Sequence, residues 1–158
     1  MSYYKVILIL SALVCSAVGR VASETGNNEW FLQFKVNDRN FFVSSEEVSA
    51  SNAYNLCKKQ NLTLVALDAA SNDAIIKSLT NLVGSTQVAF WTSGVKVYDK
   101  WVWGSTGDHV EYFDWGTGEP NDNDGKENCL QIWLNEYQSG HWNDKDCSAT
   151  FRALCFYK

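Results

Sequence analysis

Oxygen-bearing side chains that can ligate a metal ion are concentrated in the last third of the sequence. They fall in Glu119-Pro120-Asn121, Asp122-Asn123-Asp124, Glu127-Asn128 and Asn143-Asp144. Carboxylate and amide oxygens, with no histidine or thiolate among them, suit hard cations, and Ca²⁺ accepts such mixed sets. Three carboxylates, Glu119, Glu127 and Asp144, would repel one another if they met without a divalent ion. The pattern therefore predicts a calcium site.

The amides of Asn121 and Asn143 add neutral oxygens and also N–H donors to this set. An ion with open coordination positions, flanked by carboxylate acceptors and amide donors, can hold two neighbouring hydroxyls of a sugar. An acidic surface turn without a ligand and the paired carboxylates of a glycosidase are alternatives, because the sequence gives no distances between these groups.

The elements that position these residues belong to one domain. The chain has 158 residues, of which 46% are hydrophobic and 20% charged, which is enough for one packed core. Lys and Arg number 13 against 18 Asp and Glu, so the net charge is -5. This balance argues against a basic face for nucleic acid.

The N-terminal segment resembles a secretory signal. One positive charge in Met1 to Lys5 is followed by an apolar run from Val6 to Val18, which is long enough for a signal peptide and too short to span a bilayer. We predict a signal peptide over 1–19 with cleavage between 19 and 23, a short leader over 24–29, and a secreted, extracellular domain over 30–158. An uncleaved anchor is the alternative. No other segment has the ~18 apolar residues of a membrane span, so we expect no membrane insertion.

Cysteine usage agrees with secretion. Cys15 lies in the signal segment, and its removal leaves Cys57, Cys129, Cys147 and Cys155. An even number in an oxidising compartment predicts two disulfides, for which three pairings are possible. The absence of C-x-x-C spacing argues against a zinc knuckle or a redox pair.

Hydrophobic periodicity predicts the elements of the first half. A hairpin is expected from Trp30–Val36 and 41–43 around the turn 37–40. Ser49 is a plausible N-cap for a helix with Ala50, Ala53, Leu56 and Cys57 on one face. A strand over 62–67 and a helix from Ser71, with Ala74, Ile75, Leu79 and Leu82 as its buried stripe, follow.

The second half reads as short strands around a long loop. Strands are predicted over 88–92, 101–103, 129–134, 140–142 and Phe151–Phe156, and a loop over 104–126. Loops of this length are usually functional or disordered, and the aromatic residues Tyr112, Phe113 and Trp115 indicate that this one is ordered. The whole is an α+β domain with a long decorated loop.

Taken together, the motifs resemble those of the C-type lectin domain, especially its short, single-domain insect forms. Glu119-Pro120-Asn121 resembles the family's E-P-N motif, with Glu127 eight positions beyond Glu119 as in mannose-binding members. Glu127-Asn128-Cys129 and Trp142-Asn143-Asp144 resemble the acidic ligand before a cysteine and the W-N-D motif. The segment 90–94 stands where the family has its W-I-G-like core strand.

The resemblance implies a fold and a site. The fold is the C-type lectin fold, with two helices, small antiparallel sheets, a long calcium-binding loop and disulfides Cys57–Cys155 and Cys129–Cys147. One Ca²⁺ ion is held by Glu119, Asn121, Glu127, Asn143 and Asp144, and Pro120 is the family's cis-proline. The first four of these ligands also bind two sugar hydroxyls.

The same resemblance implies the ligand class. E-P-N members bind equatorial 3- and 4-hydroxyls, so we expect mannose-type terminal sugars on microbial or cell surfaces, as in innate immunity. Galactose-type specificity and a calcium-independent, protein- or surface-binding domain are the alternatives, and a non-enzymatic role is expected. Members with an auxiliary calcium site carry acids where this chain has Val95, so a single ion is predicted.

Three further residues stand apart from this site. Asn61-Leu62-Thr63 is an N-glycosylation acceptor at the end of the first predicted helix, which would make the secreted chain a glycoprotein. His141 has no acidic or nucleophilic companion in the sequence and is interpreted as a plain strand residue. His109 lies in the long loop without an assigned role.

Overall fold

Two helices and eight strands make up the domain in the computed structural model, which describes residues 30–84, 87–135 and 140–157. The predicted signal segment and leader lie outside the described residues. The elements are β1 (Trp30–Val36), β2 (Arg39–Val48), α1 (Ala50–Lys59), β3 (Thr63–Leu64), α2 (Asn72–Val83), β4 (Val88–Val97), β5 (Lys100–Trp103), a 3-10 turn (Asn123–Gly125), β6 (Glu127–Leu134), β7 (His141–Asp146) and β8 (Phe151–Phe156). The predicted α+β class is confirmed.

The strands are hydrogen-bonded in the order β1-β2-β8-β4-β6-β7, with β3 paired to β8 and β5 to β4. All neighbouring pairs are antiparallel except β4 and β8, which are parallel. The predicted β1–β2 hairpin is confirmed, and Asn37 and Asp38 at its turn have positive φ angles of 47° and 65°. Positive φ at both central residues is what a two-residue hairpin turn of type I′ requires.

The central strands separate two hydrophobic clusters. The larger one lies beneath α2 and includes Ile75, Phe90, Leu130 and Trp142, all at most 1% exposed. The smaller one lies beneath α1 and contains Ala53, Cys57 and Trp91, each fully buried. Strand β4 is buried on both faces because its alternate residues enter different clusters.

Both predicted disulfides are present. Cys57–Cys155 ties α1 to β8, and Cys129–Cys147 ties β6 to the residue after β7. The second bond fixes the strand pair that carries Glu127, Asn143 and Asp144. None of the helices in the described ranges is long and apolar enough to cross a membrane.

Several predicted elements differ from the structure. The strand expected over 62–67 is limited to Thr63–Leu64. The next residue, Val65, leaves the ladder and bridges two other strands, since its N–H donates to Leu154 O of β8 and its carbonyl accepts from Ser93 N of β4. Leu82, predicted to be buried, is 44% exposed, since it is Val83 that packs against the core in the last turn of α2.

The helix starts differ from each other. Ser49 caps α1 as predicted, its hydroxyl accepting from Asn52 N at 3.4 Å. Ser71 precedes α2 as predicted, but its side chain does not cap the helix. Its hydroxyl donates to Asp68 Oδ1 at 2.8 Å, and the same oxygen accepts from Ser71 N.

The strand predicted over 140–142 is β7, which continues to Asp146. Residues Asn143 and Asp144 are therefore part of the strand and pair with Gln131 and Leu130 of β6. Asn and Asp are uncommon in strands, so the sequence pattern predicted that this strand ends at Trp142.

Candidate functional site

The long loop is ordered around the indole of Trp142. That ring is fully buried and is contacted edge-on by Tyr112, Phe113 and Trp115 at centroid distances of 5.6, 6.4 and 5.9 Å. The backbone of the loop is attached at the same place, because Trp142 N donates to Asp114 O at 2.8 Å. The prediction that the loop is ordered by its aromatic residues is confirmed.

Asp144 connects β7 to the tip of this loop. Its Oδ1 accepts from Asn121 N at 3.0 Å and its Oδ2 from Asp122 N at 2.9 Å, and the residue is fully buried. Hydrogen bonds from backbone N–H groups to a buried carboxylate are strong and directional. The second half of the E-P-N segment is thereby held against the W-N-D strand.

Glu127 closes the other side of the loop. Its Oε2 accepts from Asn123 N at 3.1 Å, and its own backbone N–H donates to Asp122 Oδ1 at 3.0 Å. The residue is 3% exposed. Two hydrogen bonds, one accepted by the Glu127 side chain and one donated by its backbone, therefore join the end of the loop to the start of β6.

The Glu119 side chain has an unsatisfied oxygen. Its Oε2 is buried and has no hydrogen-bond partner among the described residues. The peptide bond between Glu119 and Pro120 is cis. Burial, hydrogen bonding with Asp144 and the charges of Asp144 and Glu127 together raise the pKa of the Glu119 carboxyl above its ordinary value.

Two lysines bring positive charge to the edge of the site. The Lys145 ammonium lies 2.6 Å from Glu127 Oε1, and the Lys96 ammonium lies 3.0 Å from Asp122 Oδ2. Hydrogen bonding to Lys96 is the main reason that the pKa of the Asp122 carboxyl is lowered. Sequence analysis assigned no role to either lysine, because nothing local shows that they face carboxylates.

A cleft of about 520 Å³ collects most of the predicted ligands. Its lining includes Glu119, Asn121, Glu127 and Asn143. The fifth predicted ligand, Asp144, is fully buried and is not part of the lining. A cleft of this size is within the usual range for small-molecule sites.

Gln131 and Trp133 also line this cleft and were missed by sequence analysis. Gln131 lies opposite Asn143 in the β6–β7 ladder, so both side chains project from the same face of the sheet. Its Oε1 is buried and without a hydrogen-bond partner among the described residues. Side chains two residues apart on a strand lie on the same face, so counting in twos from Glu127 along β6 could have predicted that Gln131 enters the cleft.

The donor chemistry of this cleft fits a hard cation. Carboxylate and amide oxygens line it, and the unpartnered Glu119 oxygen needs a positively charged or donating partner. Within residues 30–84, 87–135 and 140–157, no three His, Cys, Asp or Glu side chains converge closely enough to hold an ion by themselves.

The remaining predicted residues lie elsewhere. His141 has an acidic companion, contrary to the prediction, because its Nδ1 lies 2.9 Å from Asp114 Oδ1, 27 positions earlier in the chain. His109 lines a separate cleft with Asp68 and Glu111. Asn61 is exposed in the turn after α1, and its glycosylation stays a prediction.

Comparison with known proteins identifies the family. The family model of the lectin C-type domain matches residues 46–157. Mouse L-selectin is 32% identical over 119 residues, which cover 73% of this chain and 31% of L-selectin. C-type lectin 16 of Aedes aegypti is 28% identical over 155 residues, which cover 94% of this chain and 96% of that protein.

Solved structures show the same architecture. The human scavenger receptor C-type lectin carbohydrate-recognition domain matches with a TM-score of 0.65 at 22% identity, covering 84% of this chain and 98% of that one. Human lithostathine matches with a TM-score of 0.67 at 22% identity, covering 80% and 96%. These two likenesses show the fold alone. The family is a carbohydrate-binding class without catalytic activity, and by its sequence and its fold the chain belongs to the C-type lectin domain family.

Proposed function

We propose that this protein is a secreted, calcium-dependent lectin that binds vicinal equatorial hydroxyls of mannose-type sugars. The observation that carries the proposal is the unpartnered, buried Oε2 of Glu119. It stands in a cleft that Glu127, Asn121 and Asn143 also line. A buried anionic oxygen without a partner is costly, and a bound cation removes that cost.

The predicted ligand set gives each residue a role. Glu119, Asn121, Glu127, Asn143 and Asp144 hold the ion through carboxylate and amide oxygens. Calcium supplies a hard Lewis acid with a flexible coordination shell that accepts hydroxyl oxygens. Asp144 also keeps Asn121 in place through the Asn121 N–H bond at 3.0 Å.

The side chains around the ion select the hydroxyl pair. A sugar hydroxyl donates to the carboxylate of Glu119 or Glu127 and accepts from the amide of Asn121 or Asn143. Mannose-type preference is proposed from the order of acid and amide in Glu119-Pro120-Asn121, which resembles that of mannose-binding members. Glycans on microbial or cell surfaces are the proposed targets.

Secretion is part of the proposal. The N-terminal apolar run supports removal of a signal peptide between residues 19 and 23. Expression in a eukaryotic secretory system followed by N-terminal sequencing of the medium tests this. A mature N-terminus after residues 19–23 is the expected result, and retention of Met1 in a membrane fraction contradicts it.

A calcium-independent binding function is the second candidate. The observation in its favour is that Lys145 and Lys96 already neutralise Glu127 and Asp122 at 2.6 and 3.0 Å. A site balanced by its own lysines does not need an ion to hold these two carboxylates in place.

Retention on mannose- and galactose-agarose, each with calcium and with excess chelator, tests the proposal and separates the two candidates. Calcium-dependent retention on mannose alone is the expected result, and Glu119→Gln should abolish it. Calcium-dependent retention on galactose contradicts the sugar preference and keeps the mechanism. Retention that survives the chelator, or an unaffected Glu119→Gln variant, favours the second candidate.

A further inference from the structure

A chain of side-chain hydrogen bonds links β7, which carries two of the proposed ligands, to α2, which is far from them in sequence. Asn72, the first residue of α2, is fully buried. Its Oδ1 accepts from Trp142 Nε1 at 2.9 Å, and its Nδ2 donates to Asp114 Oδ2 at 2.8 Å. Asp114 Oδ1 in turn lies 2.9 Å from His141 Nδ1. One amide thus joins the long loop to β7.

The same two segments are also joined through their backbones. Trp142 N donates to Asp114 O at 2.8 Å, and Gly116 N donates to Trp142 O at 2.8 Å. Three residues later the Glu119 N–H donates to Gly116 O at 3.0 Å. Glu119 is therefore connected through the backbone of Gly116 to Trp142, the residue that precedes Asn143 and Asp144.

Aromatic packing alone does not fix this geometry. The rings of Trp103, Tyr112 and Trp115 surround the Trp142 indole at centroid distances of 5.6 to 5.9 Å. Edge-to-face contacts favour certain ring orientations but give the buried Nε1–H no acceptor. The hydrogen bond from Nε1–H to Asn72 supplies that acceptor and fixes the rotation of the indole.

We propose that Asn72 and Asp114 are positioning residues of the calcium site, an inference that rests on the proposed function. Neither lines the cleft that holds Glu119 and Asn143. By binding Trp142 and each other, they set how far the loop that carries Glu119 lies from the strand that carries Asn143. Correct spacing of these ligands determines calcium affinity.

A charge-reversing pair of variants tests this. In Asn72→Asp, two carboxylates face each other where the amide donated to Asp114, and repulsion separates the loop from α2. We expect calcium affinity to fall at least about tenfold, although the added negative charge alone would favour a cation. The double variant N72D/D114N has the wild-type net charge and restores a donor opposite an acceptor. It should return to within about threefold of wild-type affinity.

Calcium affinity is measured by isothermal titration calorimetry of the full chain at a temperature where circular dichroism shows each variant to be folded. Ile75→Val is the matched control, because Ile75 is buried one turn further along α2. It should lower the melting temperature and leave calcium affinity unchanged. If N72D does not fold, Asn72→Ala is measured in its place, because it adds no charge and removes the side-chain hydrogen bonds of Asn72 to Trp142 and Asp114 together with the longer ones to Asp73 and Tyr112.

The outcomes separate this inference from the function on which it rests. Wild-type calcium affinity in folded N72D or Asn72→Ala overturns the positioning role alone. Failure of N72D/D114N to recover, or an equal loss of affinity in Ile75→Val, also overturns it, because the effect is then one of general destabilisation. A wild-type protein that binds no calcium overturns the proposed function and this inference with it.

Discussion

The ammonium of Lys145 lies 2.6 Å from Oε1 of Glu127, a carboxylate whose side chain is only 4% exposed. Glu127 is also one of the proposed calcium ligands, so the lysine and the ion draw on the same negative charge. Because Lys145 itself is 36% exposed, solvent screens part of this interaction. The pair has a direct consequence for calcium affinity.

Replacing Lys145 should strengthen calcium binding. In Lys145→Met the repulsion between the ammonium and the ion is removed, and we expect a gain of about fivefold, or roughly 1 kcal/mol. Calorimetric titration with calcium at low and at 0.15 M salt measures it, and the gain should shrink at the higher salt. Lys77→Met, at an exposed position on α2, changes the net charge equally and serves as the control. A gain of the same size in both variants would show a general charge effect instead.

As the pH is lowered, calcium affinity should begin to fall at a higher pH than it would for a site whose glutamates have ordinary pKa values. Burial and Asp144 raise the pKa of the Glu119 carboxyl, and a ligand must be deprotonated to bind. Protons therefore compete with calcium above the usual glutamate range. Titration with calcium between pH 7.5 and pH 4.5, followed by tryptophan fluorescence, should show affinity decreasing through that window. Equal affinity at pH 7 and pH 5 would contradict the assignment.

The calcium-free protein should show the opposite trend in stability. In the window between the ordinary glutamate pKa and the raised pKa of Glu119, the folded state binds more protons than the unfolded state. Stability therefore falls as pH rises through this window. Urea unfolding at pH 5 and pH 7 with chelator measures it. Glu119→Gln lacks the titrating group, so its stability should depend less on pH than that of the wild type.

The two disulfides should differ in their contribution to stability. Cys57–Cys155 closes a segment of 98 residues and Cys129–Cys147 one of 18. The chain-entropy model gives about 4.7 kcal/mol for the long loop and about 3 kcal/mol for the short one. Urea unfolding of the double alanine variants should show the larger loss for Cys57/Cys155. The reverse order would indicate that native packing around Cys129 outweighs loop length.

Gly140 should tolerate no side chain. It has a φ of 97°, and a Cβ there would overlap Ile76 Cγ2 and lie 2.8 Å from Leu134 Cδ2. We expect Gly140→Ala to cost about 2 to 4 kcal/mol, from overpacking together with left-handed backbone strain. Gly118 has a φ of 87° and nothing within 4 Å of such a Cβ, so Gly118→Ala should cost only about 1 kcal/mol. Thermal unfolding compares the two, and equal losses would rule out the steric argument.

The sequence by itself determined the features that depend on local patterns. The β1–β2 turn at Asn37 and Asp38, the cap at Ser49 and the strand Phe151–Phe156 follow from residue type and periodicity, and the structure confirms them. The disulfide pairing and the fold were implied by the resemblance of the motifs to the C-type lectin domain, and the structure confirms both. The ligand set was named in the same way, because each motif is contiguous in the chain, and its calcium-binding role stays a proposal.

Only the tertiary structure decided which residues surround those motifs. Lys145 faces Glu127, Gln131 enters the cleft and His141 meets Asp114 because of strand register and loop path. Leu82 is 44% exposed although it fits the helical stripe, and the neighbouring Val83 packs against the core instead. The Lys145–Glu127 and His141–Asp114 contacts join positions 18 and 27 residues apart. No local period or motif encodes them, since they depend on the sum of packing across the whole domain.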